Sequence, residues 1–409
     1  MIDHGHAGPV SLYLHFPFCE RKCRYCDFLS GPASEEAKEE YVRLLYREIR
    51  LRKEEIGSSP VDTVFLGGGT PSLMTPDQLR RVMETLRDTY LVEPDAEISM
   101  EVNPGTADPD KLRAYREAGI NRLSIGVQSF DDGELRMLGR IHTADQAREI
   151  FRAARRAGFT NINLDLMSAL PGQNMENWAR TLREAVSLGP EHISAYSLII
   201  EEGTPLAAMV EAGKLPALPS EEEDREIYHF TGQFLAENGY RRYEISNYAV
   251  AGAACRHNCG YWTGHEYLGL GLGASSDLGG ERFRNPSDRE EYRRAVEEAE
   301  ASKGAACGSE RSQDPASKGA GPGHVFRRER QRMTAEDRME EFMFLGLRLT
   351  DGVSETEFLR RFGKPMEEVF GDVAERQLQQ GVIRRKDRRI ALTAYGLDVA
   401  NYVMAEYLL

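Results

Sequence analysis

Cys19, Cys23 and Cys26 fall within eight residues, in the run His15-Phe-Pro-Phe-Cys19-Glu-Arg-Lys-Cys23-Arg-Tyr25-Cys26-Asp-Phe28. Thiolates are the ligands of soft metals and of iron–sulfur clusters. A structural zinc site closes its tetrahedron with four ligands, and no fourth cysteine stands in this loop. Three thiolates on a short loop suit a four-iron cluster with one iron left open to a small molecule. Two other readings use the same residues: a zinc knuckle borrowing a distant ligand, and buried cysteines without a metal.

Further along the chain, Gly67-Gly68-Gly69-Thr70-Pro71, Glu101-Val-Asn103-Pro104, Gln128-Ser129 and Asp165 each lie at or near the end of an apolar, strand-like run. Glycines at such a place let backbone approach a ligand closely. Taken singly, these residues also have ordinary uses. Glu101 and Asp165 can cap neighbouring helices, and Arg140 can pair with Asp131 or Asp132. A later segment, His257-Asn258-Cys259-Gly260-Tyr261-Trp262, places an imidazole and a thiol beside two broad aromatic faces. That combination suits a tetrapyrrole, since imidazole is a common iron ligand and aromatic faces stack. The plainer reading is a core tryptophan, an Asn that caps a turn and a hydrogen-bonded histidine.

The elements that must position these groups alternate. Predicted strands are Leu12–His15, Thr63–Leu66, Glu97–Val102, Arg122–Val127, Asn161–Leu166 and His192–Leu198. Helical patterns cover Ser34–Ile56, Thr75–Tyr90, Asp108–Ala118, Thr143–Ala157, Asn177–Ser187 and Ser220–Asn238, and left-handed caps are expected at Gly119, Gly158, Gly189 and Gly239. Six β-then-α units predict an α/β fold, a partial (β/α)6 barrel with chemistry at the carboxyl ends of its strands. Residues 1–240 form this core and 241–300 a linking region. The Gly/Ser/Ala/Lys-rich stretch 301–325 reads as a flexible insertion, with Cys307 an exposed thiol without a role. Residues 326–409 carry helices at Ala335–Arg348, Glu355–Arg361 and Met366–Gln380, a hairpin at 382–392 and a last helix to Tyr407. This pattern predicts a winged-helix-like α+β domain.

Composition narrows the function classes. With 52 basic and 66 acidic residues the net charge is −14, which opposes general attraction to nucleic acid or anionic lipid. Five of the six hairpin residues 384–389 are basic, so a DNA-binding wing is weighed against a solvated turn. No nucleic acid is expected. Six cysteines without a pairing pattern imply a reducing compartment. The N-terminus lacks the basic start and apolar stretch of a signal peptide, and no apolar run reaches the length of a membrane span. The expected location is the cytoplasm, with at most peripheral contact with a membrane.

The Cys-x3-Cys-x2-Cys spacing followed by an aromatic, with the Gly-Gly-Gly-Thr-Pro run behind it, resembles the radical S-adenosylmethionine (SAM) enzymes. Within them the chain resembles the coproporphyrinogen dehydrogenase-like branch, HemN and HemW, over nearly its whole length. The resemblance implies a [4Fe-4S] cluster on Cys19, Cys23 and Cys26, SAM on its open iron, and reductive cleavage of SAM as the family chemistry. It implies SAM contacts from Tyr13, Tyr25, Phe28, Gly68, Gly69, Thr70, Glu101 (through ribose hydroxyls), Gln128, Arg140 and Asp165. Two departures separate the chain from HemN. Phe28 stands where HemN has a fourth cysteine, and only about ten residues precede the first strand. Both features, and the fit of residues 257–262 to a His-Asn-x-x-Tyr-Trp signature, resemble the HemW heme chaperones. That resemblance implies heme held through His257, Cys259, Tyr261 and Trp262 and passed to apo-hemoproteins of a respiratory chain, with dimerisation on cofactor loading. The family often has His where this chain has Ser275. The alternatives are a coproporphyrinogen III dehydrogenase, a radical methylase or heme-degrading relative, and a winged-helix regulator sensing heme or iron.

Overall fold

The computed structural model describes residues 8–306 and 322–408, and its contacts divide the chain into two compact units. Elements are numbered in chain order throughout. The first unit comprises Met1–Asn163, Ile199–Leu215 and Glu266–Arg332. It contains the parallel strands β1 (Val10–Phe16), β2 (Pro60–Gly68), β3 (Leu91–Val102) and β4 (Arg122–Gln128), paired in that order. Their apolar residues are sealed: Leu12, Val64, Met100 and Ile125 have no measurable exposure. The helices α1 (Glu35–Leu51), α2 (Pro76–Thr89), α3 (Pro109–Glu117), α4 (Asp132–Leu138) and α5 (Ala144–Arg156) follow these strands. Side-chain oxygens of Ser34, Thr75, Asp108, Asp131 and Thr143 accept the first free N–H groups of these five helices, which fixes where each begins.

The six predicted strands and six predicted helices all form, although β3 begins at Leu91 instead of Glu97 and α1 ends at Leu51 instead of Ile56, and all four glycines expected as helix stops have positive φ. Six strands is nevertheless too few. In the first unit β9 (Tyr267–Leu270) lies parallel to the free edge of β1, and β10 (Ser275–Leu278), β11 (Glu281–Arg284) and β12 (Arg328–Arg332) continue the sheet antiparallel. These strands cover an edge that would otherwise offer unpaired backbone. Part of the predicted insertion is ordered: α10 (Arg289–Ala306) runs through 301–306, its buried Tyr292, Val296 and Ala299 holding it in the unit. Residues 307–321, with Cys307, lie outside the described residues. The short helix α7 (Pro205–Glu211) also belongs here.

The second unit comprises Leu164–Leu198, Pro216–His265 and Met333–Leu409. From β5 (Ile162–Ser168) it takes the residues from Leu164 on, followed by α6 (Met175–Leu188), β6 (His192–Ser197) and α8 (Glu221–Glu237). The short strand β8 (Asn247–Ala249) pairs antiparallel with β6, and β7 (Arg241–Arg242) pairs antiparallel with β8; α9 (Arg256–Thr263) follows. The C-terminal segment packs α11 (Ala335–Gly346), α12 (Glu355–Phe362) and α13 (Met366–Gln379) with a three-stranded sheet. Its strands are β13 (Val353–Ser354), β14 (Ile383–Lys386) and β15 (Arg389–Leu392), with β15 central. The expected last helix is broken into α14 (Ala394–Asp398) and α15 (Ala400–Ala405). Phe358, Phe370, Val403 and Tyr407 form the core of this segment.

Candidate cofactor site

The loop that leaves β1 is held at both ends. Cys19 N–H donates to Gly31 O at 3.0 Å, Gly31 N–H to Pro17 O at 3.1 Å, and Cys26 N–H to Cys23 O at 3.3 Å. The turn after α4 supports its middle. Arg24 N–H donates to Leu138 O at 3.0 Å, Arg24 Nη1 to Met137 O at 3.1 Å, and Arg21 Nη2 to Gly139 O at 2.9 Å. Cys19, Cys23 and Cys26 are free thiols, each partly exposed. Among the described residues no three His, Cys, Asp or Glu side chains converge on one metal ion. A four-iron cluster asks for something different, namely thiolates on one rim, each able to take its own iron. The donor set fits that group. Burial raises the Cys26 thiol above its ordinary pKa, and the neighbouring Cys23 and Cys19 add to this, so ligation must displace its proton.

Beneath this loop the ends of β2, β3 and β4 meet. Gly69 N–H donates to Phe16 O at 2.8 Å, and a Cβ at Gly69 would lie 2.6 Å from Phe18 O. Only glycine lets the end of β2 come so near the start of the cysteine loop. Gly68, at φ +110°, donates its N–H to Glu101 Oε2 at 3.1 Å. The buried His15 ring packs against Gly68, with its Nε2 3.0 Å from Leu29 O and its Nδ1 3.0 Å from Tyr13 Oη. A carbonyl only accepts, so Nε2 carries the proton and Tyr13 donates to Nδ1. Burial lowers the His15 pKa, outweighing the Leu29 bond.

Thr70 Oγ1 stands 3.5 Å from Cys19 Sγ, and Arg140 Nη1 stands 3.5 Å from Cys23 Sγ. Asn103 lies between them, taking Arg140 Nη2 on Oδ1 at 2.5 Å and donating Nδ2 to Thr70 Oγ1 at 2.9 Å. Arg140 Nη2 also donates to Gly126 O at 2.6 Å. Burial opposes the Arg140 charge, but Tyr25 and Cys23 beside it more than offset this, and its pKa is raised. Burial raises the Tyr25 pKa as well. Gln128 ends β4 at φ +64°, a backbone conformation few non-glycine residues adopt. Its Nε2 and Arg140 Nη2 both lie 3.2 Å from where a Gly126 Cβ would project.

The structure therefore brings together the three cysteines, Tyr13, Tyr25, Gly68, Gly69, Thr70, Glu101, Gln128 and Arg140. Phe28 is on the same loop and 63% exposed. Asp165, on β5, belongs to the second unit. Asp108 rather than Glu101 caps α3, and Asp131 caps α4 while Arg140 contacts Asn103, Gly126 and Cys23. The sequence displayed Asn103 at the end of β3 but gave no sign that its amide joins two of the three thiols. The supporting roles of Arg21 and Arg24 carried no sequence signal at all.

Residues 257–262 lie on α9 instead of in a turn. His257 is 2% exposed, and its Nε2 is 3.0 Å from Tyr261 Oη one helical turn on. The Arg348 guanidinium covers the Trp262 ring at 4.3 Å, and Trp262 Nε1 is buried without a partner among the described residues. Cys259 and Tyr261 are partly exposed. In this conformation His257 is a buried, hydrogen-bonded imidazole, and one face of Trp262 is occupied.

Fold and site together define an α/β radical SAM protein. Residues 13–185 match the radical SAM superfamily, and residues 333–399 match the HemN C-terminal domain. Among solved structures, the Escherichia coli coproporphyrinogen III oxidase HemN, described as a radical SAM enzyme, superposes with a TM-score of 0.80. That match covers 98% of this chain and 90% of the other at 23% identity, and it establishes the fold. The heme chaperone HemW of Bacillus subtilis is 34% identical over 399 residues, 97% of this chain and 99% of its own length. HemW of Lactococcus lactis is 32% identical over 98% of both chains. HemW of Escherichia coli is 40% identical over 65% of this chain and 69% of its own. The chain belongs to the HemW family of heme chaperones.

Proposed function

We infer that the protein binds heme and hands it to apo-hemoproteins, and that it carries a [4Fe-4S] cluster and SAM in its first unit. The carrying observation is the similarity to HemW of Bacillus subtilis along 97% of the chain. Cys19, Cys23 and Cys26 hold the cluster. Gly68 and Gly69 let backbone approach the methionine part of SAM, with Thr70, Tyr13 and Tyr25 beside them. Glu101 takes ribose hydroxyls, while Gln128, Arg140 and the exposed Phe28 complete the contacts. When bound, the cluster and SAM supply one-electron chemistry that no side chain can provide. For heme, Cys259, Tyr261 and Trp262 are the candidate contacts, and His257 becomes an iron ligand only after it leaves Tyr261.

The recipients are apo-hemoproteins of a respiratory chain. The protein dimerises on cofactor loading and works in the cytoplasm, with peripheral contact at most; no helix among the described residues is long and apolar enough to cross a membrane. The similarity to HemW of Bacillus subtilis and of Lactococcus lactis favours a heme chaperone over a coproporphyrinogen dehydrogenase or a DNA-binding regulator. The basic hairpin is also tied to its own domain. Arg385 pairs with Glu355 at 2.5 Å, and Arg384 and Arg389 donate to Thr350 O and Gly352 O.

Anaerobic reconstitution followed by heme titration tests this reading. Wild type is compared with His257→Ala and with a variant carrying Cys19→Ala, Cys23→Ala and Cys26→Ala. Loss of the heme band in His257→Ala alone places heme apart from the cluster. With reductant, SAM and coproporphyrinogen III, the reconstituted protein forms no protoporphyrinogen; its formation contradicts the chaperone reading.

A further inference from the structure

We propose that Asn103 is a positioning residue whose side-chain amide aims two hydrogen-bond donors at the cluster thiolates and thereby raises the cluster's reduction potential. The inference rests on the assignment of the cluster to Cys19, Cys23 and Cys26. Its basis is the polarity of one amide. Arginine has only donors, so the Asn103 atom 2.5 Å from Arg140 Nη2 must be Oδ1. Nδ2 is then committed to Thr70 Oγ1 at 2.9 Å. A hydroxyl that accepts from the amide keeps its own proton for another partner, and Cys19 Sγ lies 3.5 Å away. On the other side, the Oδ1 contact fixes the guanidinium whose Nη1 is 3.5 Å from Cys23 Sγ.

The amide is itself held rigidly. Asn103 N–H donates to Ser72 Oγ at 3.2 Å, and Asn103 O accepts from Thr106 Oγ1 at 2.7 Å. Opposite it, a Cβ at Gly126 would sit 2.8 Å from Asn103 Oδ1, so the absence of a side chain at Gly126 makes the amide's seat. Hydrogen bonds to cluster sulfurs stabilise the more negative, reduced state and are among the levers that set the potential. Aspartate has nearly the same shape but only accepts. In Asn103→Asp the Thr70 proton turns to the carboxylate and away from Cys19, while the Arg140 contact persists.

The test is the cluster midpoint potential, read by EPR-monitored redox titration of the anaerobically reconstituted full chain without SAM, beside iron and sulfide content. Thr70→Val is expected to lower the potential in the wild-type background and to have no further effect in the Asn103→Asp background. Asn103→Asp alone lowers it by at least a tenfold change in the reduced-to-oxidised ratio, about 59 mV for a one-electron couple. Equal shifts from Thr70→Val in both backgrounds, or no shift in either, overturn the proposal. If Asn103→Asp does not retain four irons, Gly126→Ala, which displaces the amide, carries the same test: a lowered potential supports the proposal and an unchanged one overturns it. A wild-type protein that builds no four-iron cluster refutes the underlying assignment instead.

Discussion

Glu101 accepts the Gly68 N–H at 3.1 Å and stands where SAM is expected to bring its ribose. A charge-assisted hydrogen bond is worth about 1.5–3 kcal/mol, so Glu101→Gln should weaken SAM binding roughly 10- to 100-fold. Calorimetry on reconstituted protein checks this; unchanged affinity would remove Glu101 from the SAM contacts. His142, 4% exposed, bonds Val127 O through Nε2 at 3.2 Å. Burial first, and Arg140 second, lower its pKa from 6.5 to about 4. The unfolded chain therefore takes up this proton at higher pH than the folded chain does. Stability falls as pH drops from 6.5 towards 4, by about 2 kcal/mol at pH 5. Unfolding midpoints measured between pH 7 and pH 5 should show this slope, and His142→Gln should flatten it. At this scale the cysteine spacing was legible because three thiols in eight residues have few other uses. Asn103, Arg21 and Arg24 were not, because their roles exist only once loops distant in sequence meet.

Among the elements, the first four strands depend on what covers their edge. Arg52, following α1, has no exposed surface. It bonds Glu48 Oε1 at 3.0 Å, Gly269 O at 2.8 Å and Asn285 Oδ1 at 3.0 Å, and it pairs with Glu55. Glu48 in turn accepts from Gly271 N–H at 2.7 Å and from Tyr292 Oη at 2.6 Å. This buried network ties α1 to β9, to the glycine-rich turn after it and to α10. Removing one partner of a buried ion pair costs about 3–5 kcal/mol, so Arg52→Ala should lower the unfolding midpoint sharply in denaturant titration. A loss below about 1 kcal/mol would mean that solvent reaches the site. The parallel strands and their helices could be read from apolar runs and caps. Strands β9 to β12 could not, since four- or five-residue strands rich in Gly, Ser and Arg show no period. Helix α9 was hidden in the same way by Asn258 and Gly260, which favour turns over helices.

At the scale of the molecule, the chain assigns its two candidate cofactor regions to different units. The cysteine loop and most predicted SAM contacts belong to the first, and α9 and Asp165 to the second. Heme delivery requires that heme be bound and then released to a recipient. Transfer itself tests this most directly. Heme-loaded protein is mixed with an apo-hemoprotein whose Soret band differs from its own, and the spectrum is followed with time. The account predicts decay of the donor band matched by growth of the acceptor band. Heme that stays on the protein, or an acceptor that never fills, would contradict it.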